Sequence, residues 1–211
     1  MDTNYKKLIE GNRQWAEETK ADNPDFFTNL AKGQAPKFLW IGCADSRVPA
    51  AKISKMGPGD IFVHRNIANM VVHTDISMLS VLEYAVAVLK VEHVVICGHY
   101  GCGGVRAAMD HAKVGLIDNW LLQIKESIRA NYEEQNAISD DNDKFNRAVE
   151  LNVMEQVYNM CSTAIIQEAW AERKVQVHGM VFQLDNGMLK ELVTINKNSD
   201  LSKHYDFHGK Y

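Results

Sequence analysis

Short apolar runs alternate with helix-like stretches along the chain. Three of the runs, residues 38–42, 61–64 and 94–97, have the length and composition of buried strands. Two more, residues 175–184 and 188–195, are separated by Asp-Asn-Gly and are expected to form a hairpin. Strands that alternate with helices predict an α/β fold, in which a mostly parallel central β-sheet is flanked by helices on both faces.

The helical stretches differ in their hydrophobic pattern. After a predicted N-cap at Thr74 or Asp75, apolar residues fall nearly all round the helix as far as Leu89, which is typical of a buried helix. A second long helix is expected over residues 153–170. The polar stretch 139–144 is expected to be a surface loop.

A long helical region is expected near the N terminus. Within it, Asn23 and Pro24 predict a cap followed by proline in the first turn of a helix. The short helix that they open would carry the apolar residues Phe26, Phe27 and Leu30.

Composition and charge narrow the class of protein. A chain of 211 residues, 46% hydrophobic and 24% charged, can bury a core as a single domain covering residues 1–211. Its formal net charge of −4 gives no reason to expect nucleic-acid binding, and no run approaches the roughly 18 apolar residues of a membrane span. The first residues lack the apolar segment of a signal peptide, so we expect a cytoplasmic protein whose cysteines stay reduced.

Three side chains that bind metals follow predicted strands. Cys43 comes directly after the first strand, and His99 and Cys102 come after the third. Because the carboxyl ends of parallel strands meet at one edge of a sheet, we expect these residues to lie together. Two thiolates and one imidazole suit zinc, and three protein ligands leave one coordination position open for chemistry. The pattern therefore predicts a catalytic metal site.

Two other interpretations of these residues stay open. The three ligands would form a closed structural site if Asp45 were a permanent fourth ligand. The glycines around His99 also suggest a phosphate loop, although the Gly-x-x-x-x-Gly-Lys-Ser/Thr pattern is absent. The remaining cysteines, Cys97 and Cys161, are expected to be ordinary core residues.

Three blocks of sequence resemble those of the β-class carbonic anhydrases. They read Cys-Ala-Asp-Ser-Arg-Val-Pro at 43–49, Phe-Val-His-Arg-Asn-Ile-Ala-Asn at 62–69 and His-Tyr-Gly-Cys-Gly-Gly at 99–104. The similarity extends over most of the chain and is to the bacterial branch of that family. It implies one zinc ion per chain on the three candidate ligands, and reversible hydration of carbon dioxide to bicarbonate and a proton.

The resemblance also assigns roles to residues beside the ligands. Asp45 would accept a hydrogen bond from the zinc-bound hydroxide that attacks carbon dioxide, and Arg47 would hold the Asp45 carboxylate ionised and oriented. The substrate would lie in an apolar pocket that is completed across a dimer interface, so the resemblance implies at least a homodimer, with a tetramer expected. The pocket positions are Gln34, Phe62, Ile67, Tyr84 and the backbone N–H of Gly103.

One branch of the family is regulated by bicarbonate. There the aspartate swings to become the fourth zinc ligand at lower pH, and bicarbonate in a separate pocket of tryptophan, arginine and tyrosine favours that closed state. The matching positions are Trp40, Arg65 and Phe182. Phe182 lacks the tyrosine hydroxyl, and a lost hydrogen bond to an anion costs roughly 1–3 kcal/mol, so weaker regulation is expected.

Two further functions remain as alternatives. Relatives on the same fold hydrolyse carbon disulfide or carbonyl sulfide with similar ligands. A structural zinc module without catalytic activity would hold the metal in a closed site.

Overall fold

The computed structural model describes residues 3–201. The chain falls into two compact units, one ending at Ala35 and the other beginning at Pro36. No helix of the described part is both long enough and apolar enough to cross a membrane. The single domain predicted for residues 1–211 stays a prediction.

The described part of the first unit contains two helices, α1 (Thr3–Asp22) and α2 (Phe26–Leu30). The long N-terminal helical region is therefore confirmed. The predicted start of the short helix at Pro24 is wrong, because the N–H of Phe26 donates to the carbonyl of Asn23 and closes a turn before the helix begins.

The second unit is built around one sheet. Its strands are β1 (Phe38–Cys43), β2 (Ile61–Asn66), β3 (His93–His99), β4 (Gln176–Phe182) and β5 (Leu189–Ile195). They form a five-stranded sheet in the order β2-β1-β3-β4-β5, parallel except for the antiparallel pair β4 and β5. Each overlaps a predicted strand, so the mostly parallel sheet and the C-terminal hairpin are confirmed.

Helices occupy the segments between the strands. They are α3 (Ala50–Ile53), α4 (Ile76–Glu83), α5 (Gly103–Met109), α6 (Ile117–Ala130), α7 (Tyr132–Asn136), α8 (Asp141–Cys161) and α9 (Ala164–Glu172). A turn of 3₁₀-helix (Ile67–Asn69) follows β2, and a π-helix (Tyr84–Val88) continues α4.

The two faces of the sheet carry different clusters, because alternate residues of a strand point to opposite sides. One face carries Leu39, Ile41, Val94 and Ile96, which belong to the main core together with buried residues of α4, α6, α8 and α9. The central strands β1 and β3 are therefore buried along almost their whole length.

The opposite face carries a smaller cluster. Trp40, Val95, Cys97 and Phe182 pack there with Ala50 of α3. The helical cover that the sequence predicts for both faces is thus unequal within this unit. The long helices pack on the Leu39 face.

The helix after Asp75 departs from its predicted burial. Asp75 is the N-cap, since its carboxylate accepts hydrogen bonds from two backbone N–H groups of the first turn. The predicted burial on all sides is wrong for the single chain: Ile76 is 76% exposed, Tyr84 45% and Val88 60%. Only the side of the helix that carries residues such as Leu82 packs into the core.

The single helix predicted over residues 153–170 is two helices. α8 ends at Cys161, and the hydroxyl of Thr163 caps α9 by accepting from the N–H of Ile166 at 3.3 Å. The polar stretch 139–144 is a loop only at its start, because the carboxylate of Asp140 accepts from the first N–H groups of α8. Capping residues thus begin both helices where the hydrophobic pattern suggested a loop or an uninterrupted helix.

Gly98→Ala tests how closely α8 approaches β3. A Cβ at this position would lie 2.6 Å from Val153 Cγ2, so one of the two elements would have to shift. We expect a loss of about 1–3 kcal/mol in the free energy of unfolding, measured with urea. The same substitution should cost less in a Val153→Ala background. An equal cost in both backgrounds would contradict the close packing.

Candidate metal centre

The three predicted metal ligands converge at the carboxyl edge of the sheet. Cys43 is the last residue of β1 and His99 the last of β3, and these strands are parallel neighbours. The ligand atoms of Cys43, His99 and Cys102 all lie within 4.8 Å of one another, and the two sulfurs are 4.0 Å apart. In the described part of the chain this is the one such group of three or more His, Cys, Asp or Glu residues.

The loop between His99 and Cys102 depends on glycine. Gly101 has a φ of +71°, a left-handed conformation that turns the chain back so that Cys102 faces the other ligands. Cys102 then becomes the N-cap of α5. At Gly104 a Cβ would lie 2.9 Å from Ile67 Cγ2, so a larger residue would push α5 away from the turn after β2.

The orientation of His99 fits metal binding. Its side chain is fully buried, and Nδ1 lies 2.9 Å from the carbonyl oxygen of Tyr100. Because a carbonyl only accepts, Nδ1 must carry the hydrogen, and in the neutral imidazole Nε2 then keeps its lone pair. Nε2 has no hydrogen-bond partner. A buried, unpartnered lone pair beside two sulfurs is a donor set that suits zinc.

The two ligand thiols affect each other's protonation. The hydrogen bond from Cys102 lowers the pKa of Cys43, whereas the neighbouring Cys43 raises the pKa of Cys102. The first thiolate therefore forms readily and the second is opposed by the first. A divalent cation between them removes this repulsion, because both sulfurs can then be anionic.

The other two cysteines have a different environment. Burial raises the pKa of Cys97 and that of Cys161 to about 12. Both thiols therefore stay protonated at neutral pH. Neither residue belongs to the metal cluster, which agrees with the prediction that they are core residues.

Asp45 and Arg47 pair beside the cluster. Arg47 Nε donates to Asp45 Oδ1 at 2.9 Å and Arg47 Nη2 to Oδ2 at 2.7 Å, while the backbone N–H of Arg47 also donates to Oδ1. These bonds hold the pKa of Asp45 well below its usual value. Asp45 Oδ2 lies 3.6 Å from His99 Nε2, so an ionised acceptor stands at the edge of the metal centre.

Arg65 fastens the loop that carries the first ligand. Its Nε donates to the carbonyl of Cys43 at 2.9 Å and its Nη2 to the carbonyl of Asp45 at 2.5 Å. Sequence reasoning missed this contact and proposed only a regulatory role for Arg65. The signal lies in the pairing of β1 with β2, which sets Arg65 opposite Gly42, and the spacing along the chain does not reveal it.

The predicted substrate-pocket residues are brought together in part. The rings of Phe62 and Tyr84 lie with their centroids 5.8 Å apart. Ile67 packs beside the start of α5, where Gly103 is the first helical residue. Gln34 belongs to the first unit, and its place in the pocket stays a prediction.

The predicted regulatory residues lie around Gly42, on the face of the sheet that carries the smaller cluster. The indole Nε1 of Trp40 would lie 2.6 Å from a Cβ at Gly42, and Arg65 is the β2 partner of Gly42. Phe182 is buried in the same cluster as Trp40. The three side chains therefore occupy one region, although their regulatory role stays a prediction.

Comparisons with known proteins agree with this arrangement. The sequence pattern of a family described as "Carbonic anhydrase" matches residues 38–189. The chain is similar to the carbonic anhydrase of Emericella nidulans, with 47% identity over 91% of this chain and 85% of that protein. It is also similar to the carbonic anhydrase of Candida albicans, with 32% identity over 99% of this chain and 75% of that protein.

A solved structure is similar in fold as well as in sequence. It is one of two tetrameric β-carbonic anhydrases from the filamentous ascomycete Sordaria macrospora, with a TM-score of 0.89 and 44% identity. The match covers 92% of this chain and 100% of that chain. These three relatives are fungal and give no support to the bacterial branch that the sequence blocks indicated.

Removal of one sulfur tests the metal centre. Cys102→Ala should lower zinc affinity more than about 100-fold, because loss of a direct ligand should exceed the 10–100-fold cost of losing a partner that only orients a ligand. Cys97→Ala is the matched control, since it removes a buried thiol that lies outside the cluster. Zinc per chain after dialysis against a chelator is the measurement. Equal retention in the two variants would contradict the assignment of Cys102.

Proposed function

The chain belongs to the β-class carbonic anhydrases, and we propose that it catalyses the reversible hydration of carbon dioxide to bicarbonate and a proton, using one zinc ion per chain. The buried group of Cys43, His99 and Cys102, with its unpartnered Nε2, carries this proposal. The Asp45–Arg47 pair at the edge of the group supplies the hydrogen-bond acceptor that would orient the attacking oxygen.

Zinc held by these three residues would supply Lewis acidity and a water whose pKa falls from about 15.7 towards about 7. The thiolates of Cys43 and Cys102 give more negative charge to the metal than imidazoles do. We therefore expect that acidity to be weaker than at a site of three histidines, and the hydration rate to rise towards alkaline pH.

Asp45 selects and orients the attacking group. An ionised carboxylate has no hydrogen to donate, so it accepts a hydrogen bond from a group that still carries a proton. That bond turns a lone pair of the attacking oxygen towards the substrate. While the two residues are paired, Arg47 keeps the carboxylate from rotating, because it holds both carboxylate oxygens.

The walls of the site suit a small apolar substrate. Phe62, Ile67 and Tyr84 supply apolar surface, and the backbone N–H of Gly103 opens α5, where it can donate to substrate oxygens. In the single chain Tyr84 is 45% exposed and Ile67 38% exposed. This exposure supports a pocket completed by a second chain, and we propose a homodimer at least and a tetramer as the assembly.

Bicarbonate control of the site is a further part of the proposal. Trp40, Arg65 and Phe182 would hold the anion, and Asp45 would leave Arg47 and become the fourth zinc ligand at lower pH. Support comes from Arg65, which already donates to the backbone of the Asp45 loop and so links the two places. A cytoplasmic site of action stays a prediction.

Replacing Asp45 tests the catalytic role. Asp45→Asn keeps the size of the side chain but loses the charge, and we expect kcat for hydration to fall about 100-fold or more. In the wild type the rate should rise from about pH 6.5 to about pH 9, because the acidified water is the group that titrates in this range. The measurement is stopped-flow hydration of carbon dioxide by zinc-loaded protein.

Asp185→Asn is the control, since Asp185 is an exposed carboxylate in the turn before β5. It should leave the hydration rate unchanged. A wild-type chain that binds one zinc but hydrates no carbon dioxide at any pH would overturn the proposed reaction. Hydrolysis of carbonyl sulfide by the same sample would then favour the relatives that use sulfur substrates.

Phe182→Tyr tests the regulatory region. The added hydroxyl could donate to an anion held near Trp40 and Arg65, and a hydrogen bond to a charged group is worth roughly 1.5–3 kcal/mol. The inhibition constant of bicarbonate in the hydration assay should therefore fall about ten-fold or more. Phe38→Tyr, at the far end of β1 against His93, is the control. Unchanged inhibition in Phe182→Tyr would argue against an anion at this place.

A further inference from the structure

A buried carboxylate contacts the loop that joins His99 to Cys102. Glu150 on α8 is only 8% exposed and accepts three hydrogen bonds: from the Tyr100 hydroxyl at 2.6 Å, from Lys190 Nζ at 2.7 Å and from Arg147 Nη1 at 2.9 Å. Arg147 also donates to Glu134 of α7. Glu150 therefore joins α7, α8, β5 and the loop after β3 at one point.

Hydrogen bonds stabilise the negative charge of the Glu150 carboxylate. Burial alone would raise the pKa of Glu150, but its three hydrogen bonds lower it below its usual value. An ionised acceptor with two cationic donors makes the bond from Tyr100 charge-assisted, and such bonds are shorter and stronger than neutral ones. The hydroxyl of Tyr100 is consequently held in one place.

Tyr100 provides the hydrogen-bond acceptor for the His99 ring. Its carbonyl oxygen lies 2.9 Å from His99 Nδ1, and its N–H donates to the carbonyl of Phe182 at 3.1 Å. Its side chain reaches in another direction, to Glu150 on α8. Tyr100 is thus fixed both through its backbone and through its hydroxyl.

The glycines around Tyr100 increase the importance of its hydroxyl contact with Glu150 for the conformation of this loop. Gly98 and Gly101 flank the His99–Tyr100 pair, and glycine restricts the backbone less than any other residue. Gly101 has no side chain to anchor this turn, so the Tyr100 side chain is one of its few anchors, beside the backbone bond to Phe182 and the bond from Arg47 Nη2 to the Gly101 carbonyl at 3.5 Å. A metal-bound histidine depends in turn on the partner of its second nitrogen for orientation and basicity.

We propose that Glu150 and Tyr100 are positioning residues for the metal: Glu150 fixes the Tyr100 hydroxyl, and Tyr100 thereby holds His99 with Nε2 aimed at the zinc. The inference rests on the proposed metal site and extends it to a carboxylate on α8. Neither residue touches the substrate. Their effect should therefore show in zinc retention and in the geometry at the metal.

Tyr100→Phe is the first test, because it removes one hydroxyl and leaves the ring and the cationic partners of Glu150 in place. We expect zinc to leave the full-length zinc-loaded protein about ten-fold faster, measured with a chromophoric chelator, since partners that orient metal ligands contribute about 10–100-fold in affinity. The cobalt-substituted variant should also show an altered visible spectrum. Urea unfolding of the same samples measures any general loss of stability.

The control is Tyr158→Phe. Tyr158 is a half-buried tyrosine on the same helix, eight residues beyond Glu150 and so about 12 Å along the axis. This variant should release zinc at the wild-type rate. Equal acceleration in both variants, or wild-type zinc release and an unchanged cobalt spectrum in Tyr100→Phe, would overturn the inference.

Substitutions at Glu150 separate its acceptor role from simple packing. Glu150→Gln keeps an oxygen that can accept from Tyr100 and should accelerate zinc release less than Glu150→Met, which has no such oxygen. Adding Tyr100→Phe to Glu150→Met should cause little further acceleration, because both changes remove the same bond. Fully additive effects would contradict the positioning route.

The outcome is independent of the hydration assay. A chain that binds zinc and shows these release rates but hydrates no carbon dioxide overturns the proposed function and supports the positioning role. A wild-type chain that binds no zinc overturns both.

Discussion

The parallel pairing of β1 with β3 is the constraint on which the metal centre depends. It brings Cys43 and His99 to the same edge of the sheet because both are the last residues of neighbouring strands that run in the same direction. Antiparallel pairing would place them at opposite edges of the sheet. Only Cys102 then needs a turn of its own, and the left-handed conformation at Gly101 supplies it. The site thus follows from strand direction and one tight turn.

The convergence of the three residues also places two thiols close enough for their thiolate forms to repel each other. Two buried sulfurs 4.0 Å apart resist being thiolates together, so a bound dication should stabilise the folded chain as well as complete the site. The polar contacts around the ligands go mainly to backbone carbonyls. Arg65 donates to the carbonyls of Cys43 and Asp45, and His99 to that of Tyr100. These contacts fix the loops without competing for the ligand atoms.

Sequence reasoning found the strands and anticipated that the three candidate ligands would lie together, because both follow from local patterns: apolar runs of strand length, and reactive side chains directly after them. It failed where long-range contacts or capping decide the structure. The cap at Thr163 divides one apolar pattern into two helices, and the exposure of Tyr84 reflects which side of its helix meets the core. The bond between Tyr100 and Glu150 joins residues 50 positions apart. No spacing rule anticipates such a pair.

The apolar wall of the proposed pocket, like the loops that carry the candidate ligands, is stabilised by hydrogen bonds from an arginine to backbone carbonyls. Tyr84 begins a π-helix, and the guanidinium of Arg173 at the end of α9 donates to the carbonyls of Val86 and Val91, at 2.8 and 2.6 Å. These bonds fix the π-turn from the interior, while the Tyr84 ring stays half exposed on the outer side. A surface already rigid before association loses less conformational entropy when a second chain covers it. The exposed apolar side chains of this helix would therefore suit the second chain that is proposed to complete the pocket, because the wall is already fixed before that chain binds.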